Sequence, residues 1–239
     1  MISVQELVYK LDMRLNKKAT LDSQSIPIED KILALNEAQI KLIKRKLNSN
    51  NIYGLGMDSF TKRYEDLQKL VVDFEKLTVT KNTTGYPSYK ADLDTLTKDY
   101  MFPLEMFVLC TKGNCNNRTL AITKIIRHGD LSTMLFNRNY SPSFEYQETL
   151  ATISDNKVNI YTDSTFTINT LNISYIRYPQ RIDIAGYFTF DGSPSITQDS
   201  ELADYLQDEL LDLATLELAM ETENNPQVQY SDIRNKINE

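Results

Sequence analysis

Apolar residues recur every three or four positions in the first third of the chain, which predicts amphipathic helices. The first predicted helix opens with a Ser-x-x-Glu capping box at Ser3 and Glu6. The second begins at Pro27 and runs to about residue 47, with acidic side chains in its first turn and basic ones near its end, which complements the helix dipole. A third is expected to start near Asp58, because apolar residues follow at spacings of four and three: Phe60, Tyr64, Leu67, Val71 and Phe74.

From about residue 98 to 190 the apolar positions alternate in twos, which is typical of strands. In the clearest example, Leu171, Ile173 and Tyr175 point one way and their neighbours the other. This region predicts a small, largely antiparallel sheet, interrupted by a short helical turn at 131–136. The preceding segment TVTKNTTGYPSYK is rich in Thr, Asn, Gly and Pro and indicates a loop or a short extended excursion.

Leucines recur along the chain from Asp199 to Glu223 and predict a long C-terminal helix that packs on the N-terminal helices. The predicted fold is therefore α+β: the N-terminal helices and the long C-terminal helix form a helical bundle, and a small mostly antiparallel β-sheet is inserted between them. The expected domains are a helical bundle, 1–80 with 199–239, and a β-rich domain with extended loops, 81–198.

Composition indicates an ordinary globular protein, since 41% of the 239 residues are hydrophobic and 25% are charged. Neither the first fifteen residues nor any later stretch provides an uninterrupted apolar run, so we expect synthesis in the cytosol and no membrane contact. The formal net charge is −7, and it is unevenly distributed. Residues 1–48 hold nine basic and six acidic side chains, whereas residues 199–223 hold nine acidic and no basic ones. This distribution disfavours general polyanion binding.

Motifs for common enzyme chemistry are missing from the sequence. There is no phosphate-binding GxxxxGK[ST], no GxGxxG and no GxSxG, and Gly54-Leu55-Gly56 is typical of a turn. His128 is the only histidine; with Asp130 it would form a base and its orienting group, but a structural role at a strand end is favoured because no nucleophile accompanies them. We expect no enzymatic activity, no cofactor and no metal site.

Cys110 and Cys115 lie in the sequence CTKGNC. They are close enough in sequence to bond across a tight turn, or they remain thiols in a reducing compartment.

Two groups of residues are candidates for an interaction role. Asp204, Asp208 and Asp212 recur every four residues and form an acidic stripe. This stripe is either a solvated face, a channel-facing or intersubunit surface, or a carboxylate site for a divalent ion or hydrolysis. Tyr175, Arg177 and Tyr178 interleave aromatic and basic side chains, for which sheet packing and an interface are favoured over base stacking.

The order of several segments resembles the head-to-tail connector (adaptor) and ring proteins of short-tailed bacteriophages, especially those of crAss-like phages. These segments cover nearly the whole chain: PIEDKILALNEAQIKLI, RHGDLSTMLFNRNYSPS, VNIYTD, ISYIRYPQRID and ELADYLQDELLDLATLELAME. Each is short and degenerate, so the resemblance depends on their order. The loops at 80–98 and 186–198 have no matching pattern.

The resemblance implies a structural virion protein that docks under the portal vertex, joins capsid to tail, and lines the channel for DNA ejection. Its partners would be identical copies, usually twelve in a homo-oligomeric ring, the portal protein and other tail or ring proteins, while genomic DNA passes without specific binding. The acidic C-terminal helix and the basic N-terminal third would suit the two different surfaces of a ring contact. The alternatives are a lower tail ring or tail-tube subunit and, less favoured, a carboxylate-based hydrolase or metal-binding protein. Assembly would take place in the host cytoplasm.

Overall fold

The computed structural model describes residues 3–16, 26–47, 65–82, 85–86, 88–113, 115–189 and 192–221. They form two units, of which one contains the chain up to Leu70 together with the chain from Pro179 onward, and the other is Val71–Tyr178. In chain order the elements are α1 Val4–Asn16, α2 Ile28–Leu47, β1 Val71–Asn82, β2 Ser88–Asp92, β3 Tyr100–Lys112, β4 Cys115–Ile125, α3 Leu131–Phe136, β5 Glu148–Ser154, β6 Lys157–Tyr161, β7 Thr167–Arg177 and α4 Gln207–Glu221.

The first unit, here called the helical unit, is built around α4. This helix contacts both α1 and α2. It is buried on most of its circumference, since all six residues from Leu210 to Thr215 are buried. A helix that is covered on several sides has no wide polar face of its own. Its acidic side chains therefore need partners on the neighbouring helices.

The second unit is a closed barrel whose strands pair in the order β1-β2-β6-β5-β4-β3-β7, with β7 pairing back to β1. The pairing of β4 with β5 is parallel, with Thr123 opposite Thr149, and the other pairings of the barrel are antiparallel. Parallel neighbours cannot be joined by a tight hairpin. The connection of residues 126–147, which contains α3, returns the chain from the end of β4 to the start of β5.

The barrel core follows the two-residue alternation of its strands, as expected for a small barrel filled by side chains. Small and large residues are mixed inside the barrel. Because the barrel is closed, β4 and β5 pair with each other and neither is an open edge. The buried inward-facing residues of the strands are Leu77, Tyr89, Ala91, Met106, Val108, Cys110, Ala121, Ala151, Val158, Ile160, Ile168, Leu171, Ile173 and Tyr175.

The α+β fold class predicted from the sequence, a helical bundle with a small inserted sheet, is wrong. The strands form a closed seven-stranded barrel with its own hydrophobic core. Closure depends on pairing between strands that are distant in sequence, and local periodicity does not record it. The expected boundaries were 80/81 and 198/199, whereas the two units divide at 70/71 and 178/179.

The predicted third helix is also wrong beyond Leu70. Its first residues, 58–64, lie outside the described part of the chain, and a helical turn at 65–67 continues as a 3-10 turn, Gln68–Leu70. Strand β1 then begins at Val71. The segment from Val71 to Thr80 is rich in β-branched residues, which favour a pleated strand over a helix. The predicted C-terminal helix begins later than Asp199, at Gln207, after a 3-10 turn at Asp204–Leu206.

Within the described ranges, no helix is both long enough and apolar enough to cross a membrane.

Ile173 provides a test of the barrel core, because it is fully buried in the centre of β7. We expect Ile173→Ala to lower the free energy of unfolding by about 2–5 kcal/mol, since it removes apolar contacts and leaves a cavity. Asn169→Ala, at an exposed position of the same strand, should change it by less than about 0.5 kcal/mol. Urea unfolding measures both variants, and equal stability of the two would contradict the inward orientation of Ile173.

Candidate functional site

The three aspartates of the predicted acidic stripe lie in different environments within the helical unit. Asp204 begins a 3-10 turn and is exposed. Asp208 lies in the first turn of α4, and its side chain is 73% exposed. The side chain of Asp212, one turn further on, is only 3% exposed. Asp212 therefore does not share a solvent-facing row with the other two.

Arg14 of α1 links the aspartates of α4. Its Nη2 lies 2.5 Å from Asp208 Oδ1, and its Nη1 lies 2.5 Å from Asp212 Oδ1. The Arg14 side chain is itself only 16% exposed. A buried carboxylate costs several kcal/mol unless it is paired, so the Arg14 contact helps Asp212 to lie in the core.

A second buried charge cluster surrounds Lys46 of α2, whose side chain is 10% exposed. Lys46 Nζ lies 2.7 Å from Glu209 Oε2 and 3.1 Å from Asp66 Oδ2. Desolvation of the hydroxyl, and then the nearby Asp66 carboxylate, raise the pKa of Tyr205 to about 12. Two carboxylates thus share one buried cation.

Lys41 completes the pattern along α2, because its Nζ lies 2.5 Å from Glu217 Oε2. Three basic residues of α1 and α2, Arg14, Lys41 and Lys46, are thus paired with acidic residues of α4 inside one chain. This charge complementarity was the physical reason for expecting a contact between subunits, and the structure uses it for intramolecular packing. A ring contact has to be sought on other surfaces.

The predicted aromatic group is divided between the core and the surface of the barrel. Tyr175 is fully buried, and its hydroxyl lies 2.9 Å from Glu75 Oε2 and 3.0 Å from the Lys98 carbonyl oxygen. Burial, and then the hydrogen bond to Glu75, raise the pKa of Tyr175 to about 12. Arg177 is half-buried, and Tyr178 is 47% exposed. The three side chains therefore do not form one stacking surface.

Tyr178 borders an open cleft of about 320 Å³ at one end of the barrel. Polar and charged residues dominate its lining, and Asn156 Nδ2 donates a hydrogen bond of 2.7 Å to Asp94 Oδ1 there. Ligand pockets are usually lined mainly by apolar side chains around a few polar groups. This cleft has the opposite character, so we do not regard it as a substrate site.

The remaining candidates from the sequence, His128 and the two cysteines, lie in positions that fit a structural role. One ring nitrogen of His128, Nε2, lies 3.1 Å from the Ile153 carbonyl oxygen, which ties the connection after β4 to β5. Cys110 is a free thiol inside the barrel, and burial raises its pKa to about 12. In the β3–β4 register Cys110 lies opposite Thr119, and Cys115 lies opposite Lys112. Within the described ranges, no three His, Cys, Asp or Glu side chains are arranged to hold a metal ion.

The outer surface of β3 and β4 carries an exposed apolar area. Phe107 pairs with Ile122 across the two strands, and Leu109 pairs with Leu120. Leu120 and Ile122 are 49% and 52% exposed, while the two β3 residues are half-buried. We call the area formed by Phe74, Phe107, Leu109, Leu120 and Ile122 the apolar strand face.

Phe74 joins this face from β1 through an irregular backbone. Its φ is 49°, a left-handed conformation that a bulky side chain rarely adopts. It lies at the register shift between Val72 and Glu75, and its amide donates to Ser174 Oγ at 3.2 Å. The bulge turns the ring outward, 58% exposed, with its centroid 5.8 Å from that of Phe107. Local strain of this kind is often found at functional surfaces.

The second area consists of three aromatic rings, Tyr86, Phe136 and Tyr161, here called the aromatic cluster; Phe136 is exposed, and the two tyrosines are half-buried. The Tyr86 ring lies 6.3 Å from Phe136 and 6.2 Å from Tyr161, centroid to centroid. Tyr86 follows Gly85, whose φ of 84° allows the turn between β1 and β2. Phe136 ends α3 and is 80% exposed. Aromatic rings of this kind are enriched at protein interfaces.

Sequence reasoning missed both areas. Phe74 was assigned to a helix, and bulky residues in an alternating strand are normally assumed to face the core. In β4 the pattern is reversed, because Leu120 and Ile122 face outward while the small residues Ala121 and Thr123 face inward. This alternation, with small residues where the core-facing positions should be, is the sequence signal that could have revealed the apolar strand face.

No protein-family model matches this chain, and no curated protein is similar to it.

The Arg14 contact generates a stability prediction. We expect Arg14→Met to lower the free energy of unfolding by about 3–5 kcal/mol, because the buried Asp212 carboxylate loses the Arg14 guanidinium. Lys44→Met removes the same charge at an exposed position of α2 and should cost less than about 0.5 kcal/mol. Chemical denaturation followed by circular dichroism measures both.

A second substitution distinguishes the loss of the ion pair from a general destabilisation of the helical unit. Adding Asp212→Leu to Arg14→Met should restore much of the lost stability, since an apolar pair replaces a buried charge pair at little net cost. If Arg14→Met alone were as stable as the unmodified chain, the buried pair would not contribute as described.

Proposed function

We propose that this chain is a structural, non-enzymatic subunit of a ring in the virion of a tailed bacteriophage, located at the junction between the portal vertex and the tail. The resemblance to connector proteins names this assembly. The structural observation that carries the proposal is the exposed apolar strand face on a barrel whose interior is already filled. Contiguous exposed apolar surface on a folded domain is typical of protein–protein contact sites.

The arrangement of carboxylates also supports a structural role over the alternative of a carboxylate-based enzyme. General acid–base chemistry requires two carboxyl groups within reach of one substrate and tuned to different pKa values. Asp212 is instead buried against Arg14, and Glu209 is held by Lys46. These groups act as packing partners of α1 and α2.

Passage of DNA is compatible with the net charge of −7. The excess of carboxylates over basic side chains repels phosphates over roughly a Debye length of 8–10 Å. A channel subunit benefits from such repulsion, because tight phosphate contacts would retain the genome. In this proposal DNA is a passenger, and the binding partners are proteins.

The test is the mass of the purified chain in solution, alone and with the portal protein of the same phage. We expect light scattering to show a portal complex that gains a fixed whole number of 27.5 kDa chains, twelve if the resemblance holds. A portal from an unrelated phage serves as the control and should gain none.

Failure to bind the matching portal would contradict the proposal. Binding to purified tail proteins in its place would indicate a lower tail ring or tail-tube subunit.

A further inference from the structure

The apolar strand face and the aromatic cluster lie on opposite sides of the barrel. The strand order is β1-β2-β6-β5-β4-β3-β7, closed from β7 to β1. The strand face is centred on β3, which is three strands from β6 in one direction and three strands from β2 in the other. The aromatic cluster belongs to β2 and β6, because Tyr161 ends β6 and lies opposite Ser88 of β2, and Tyr86 lies in the turn that leads into β2.

The two surfaces also differ in chemistry. The strand face combines aliphatic side chains of the paired strands β3 and β4 with two phenyl rings, whereas the aromatic cluster is formed by three rings, one of them on α3. A two-fold dimer brings the same surface of each copy together. A head-to-tail contact needs two different surfaces on one chain, directed away from each other. The barrel has this second arrangement.

Charged residues at the borders are of opposite sign. Asp73 precedes Phe74, and Glu105 lies opposite Ser174, whose hydroxyl accepts from the Phe74 amide. Both acidic residues are exposed. On the other side, Lys90 of β2 and Arg138, which follows α3, are exposed beside the aromatic cluster. Near the strand face, Lys76 on β1 is a basic exception, and Lys124 on β4 is paired with Glu148. Near the aromatic cluster, Asp163 is an acidic exception, since burial and then its charge raise the pKa of Tyr86.

We propose that the apolar strand face of one copy binds the aromatic cluster of a second copy, so that the barrels associate head to tail. This would bury the exposed Ile122 and Phe136 side chains and bring acidic borders towards basic ones, which favours this orientation over strand face to strand face. A foreign partner would account for only one of the two surfaces. The inference deepens the proposed function and rests on it for closure into a ring, because a repeated head-to-tail contact either closes or forms a filament.

Thiol trapping tests the contact on the 239-residue chain. Ile122→Cys and Phe136→Cys are prepared as separate proteins in a Cys115→Ser background, where Cys110 stays buried in the barrel. Both positions are exposed, at 52% and 80%, so the variants should fold, which circular dichroism checks. After oxidation of an equimolar mixture, we expect the mixed disulfide dimer to exceed either homodimer by about tenfold, because docking raises the effective concentration of the two thiols.

Ser154→Cys is the matched control. Ser154 is exposed at the end of β5, outside both surfaces. Its mixture with Ile122→Cys should form about tenfold less mixed dimer than the Ile122→Cys and Phe136→Cys pair, since only random collision joins the two thiols. Mixed dimer at the control level, or homodimers as abundant as the mixed dimer, would overturn the head-to-tail contact.

The portal measurement separates this inference from the proposed function. A chain that joins the portal as a ring but fails the trapping test would have a ring held by other surfaces. A chain that is trapped head to tail but ignores the portal would be a self-assembling protein with a different place of action.

Discussion

The parallel pairing of β4 with β5 is the contact on which the barrel depends. Thr123 and Thr149 lie opposite each other there, and their buried hydroxyl groups form a 2.9 Å hydrogen bond. On the outside, Lys124 Nζ lies 2.9 Å from Glu148 Oε2. Without this pairing β4 and β5 would be two open edges. With it, the sheet has an inside and an outside, and the strand face and the aromatic cluster acquire their opposite positions.

Local sequence patterns predicted much of the secondary structure but not how the strands assemble. The alternation at Leu171, Ile173 and Tyr175 identified a strand, and the capping and charge signals around residues 3–47 identified two helices. Val71 and Phe74 were assigned to a helix because their spacing fits a helical period as well as a bulged strand. Closure of the barrel escaped prediction because it requires pairing between β4 and β5 across a connection of 22 residues, 126–147, and such long-range pairing leaves no local periodicity.

Charge complementarity illustrates a second limit of prediction from the sequence. The sequence shows basic N-terminal helices and an acidic C-terminal helix, but it does not tell whether they meet within one chain or between copies. Burial decides this, because Arg14 and Asp212 are both largely hidden within the helical unit. The acidic stripe therefore divides into a packing role for Asp212 and a surface position for Asp204. The candidate interface moves to apolar residues of the barrel, which the charge pattern did not indicate.

Native-state hydrogen exchange at the junction of β4 and β5 tests the closed barrel most directly. The amide of Ile122 donates to the Gln147 carbonyl oxygen at 2.8 Å, and the amide of Ile126 donates to that of Ala151 at 2.9 Å. A closed barrel predicts that both amides exchange as slowly as those in the centre of β7, since all would open only by extensive unfolding. Exchange of Ile122 and Ile126 as fast as the loop at 162–166, with β7 still protected, would show an open sheet and contradict the account.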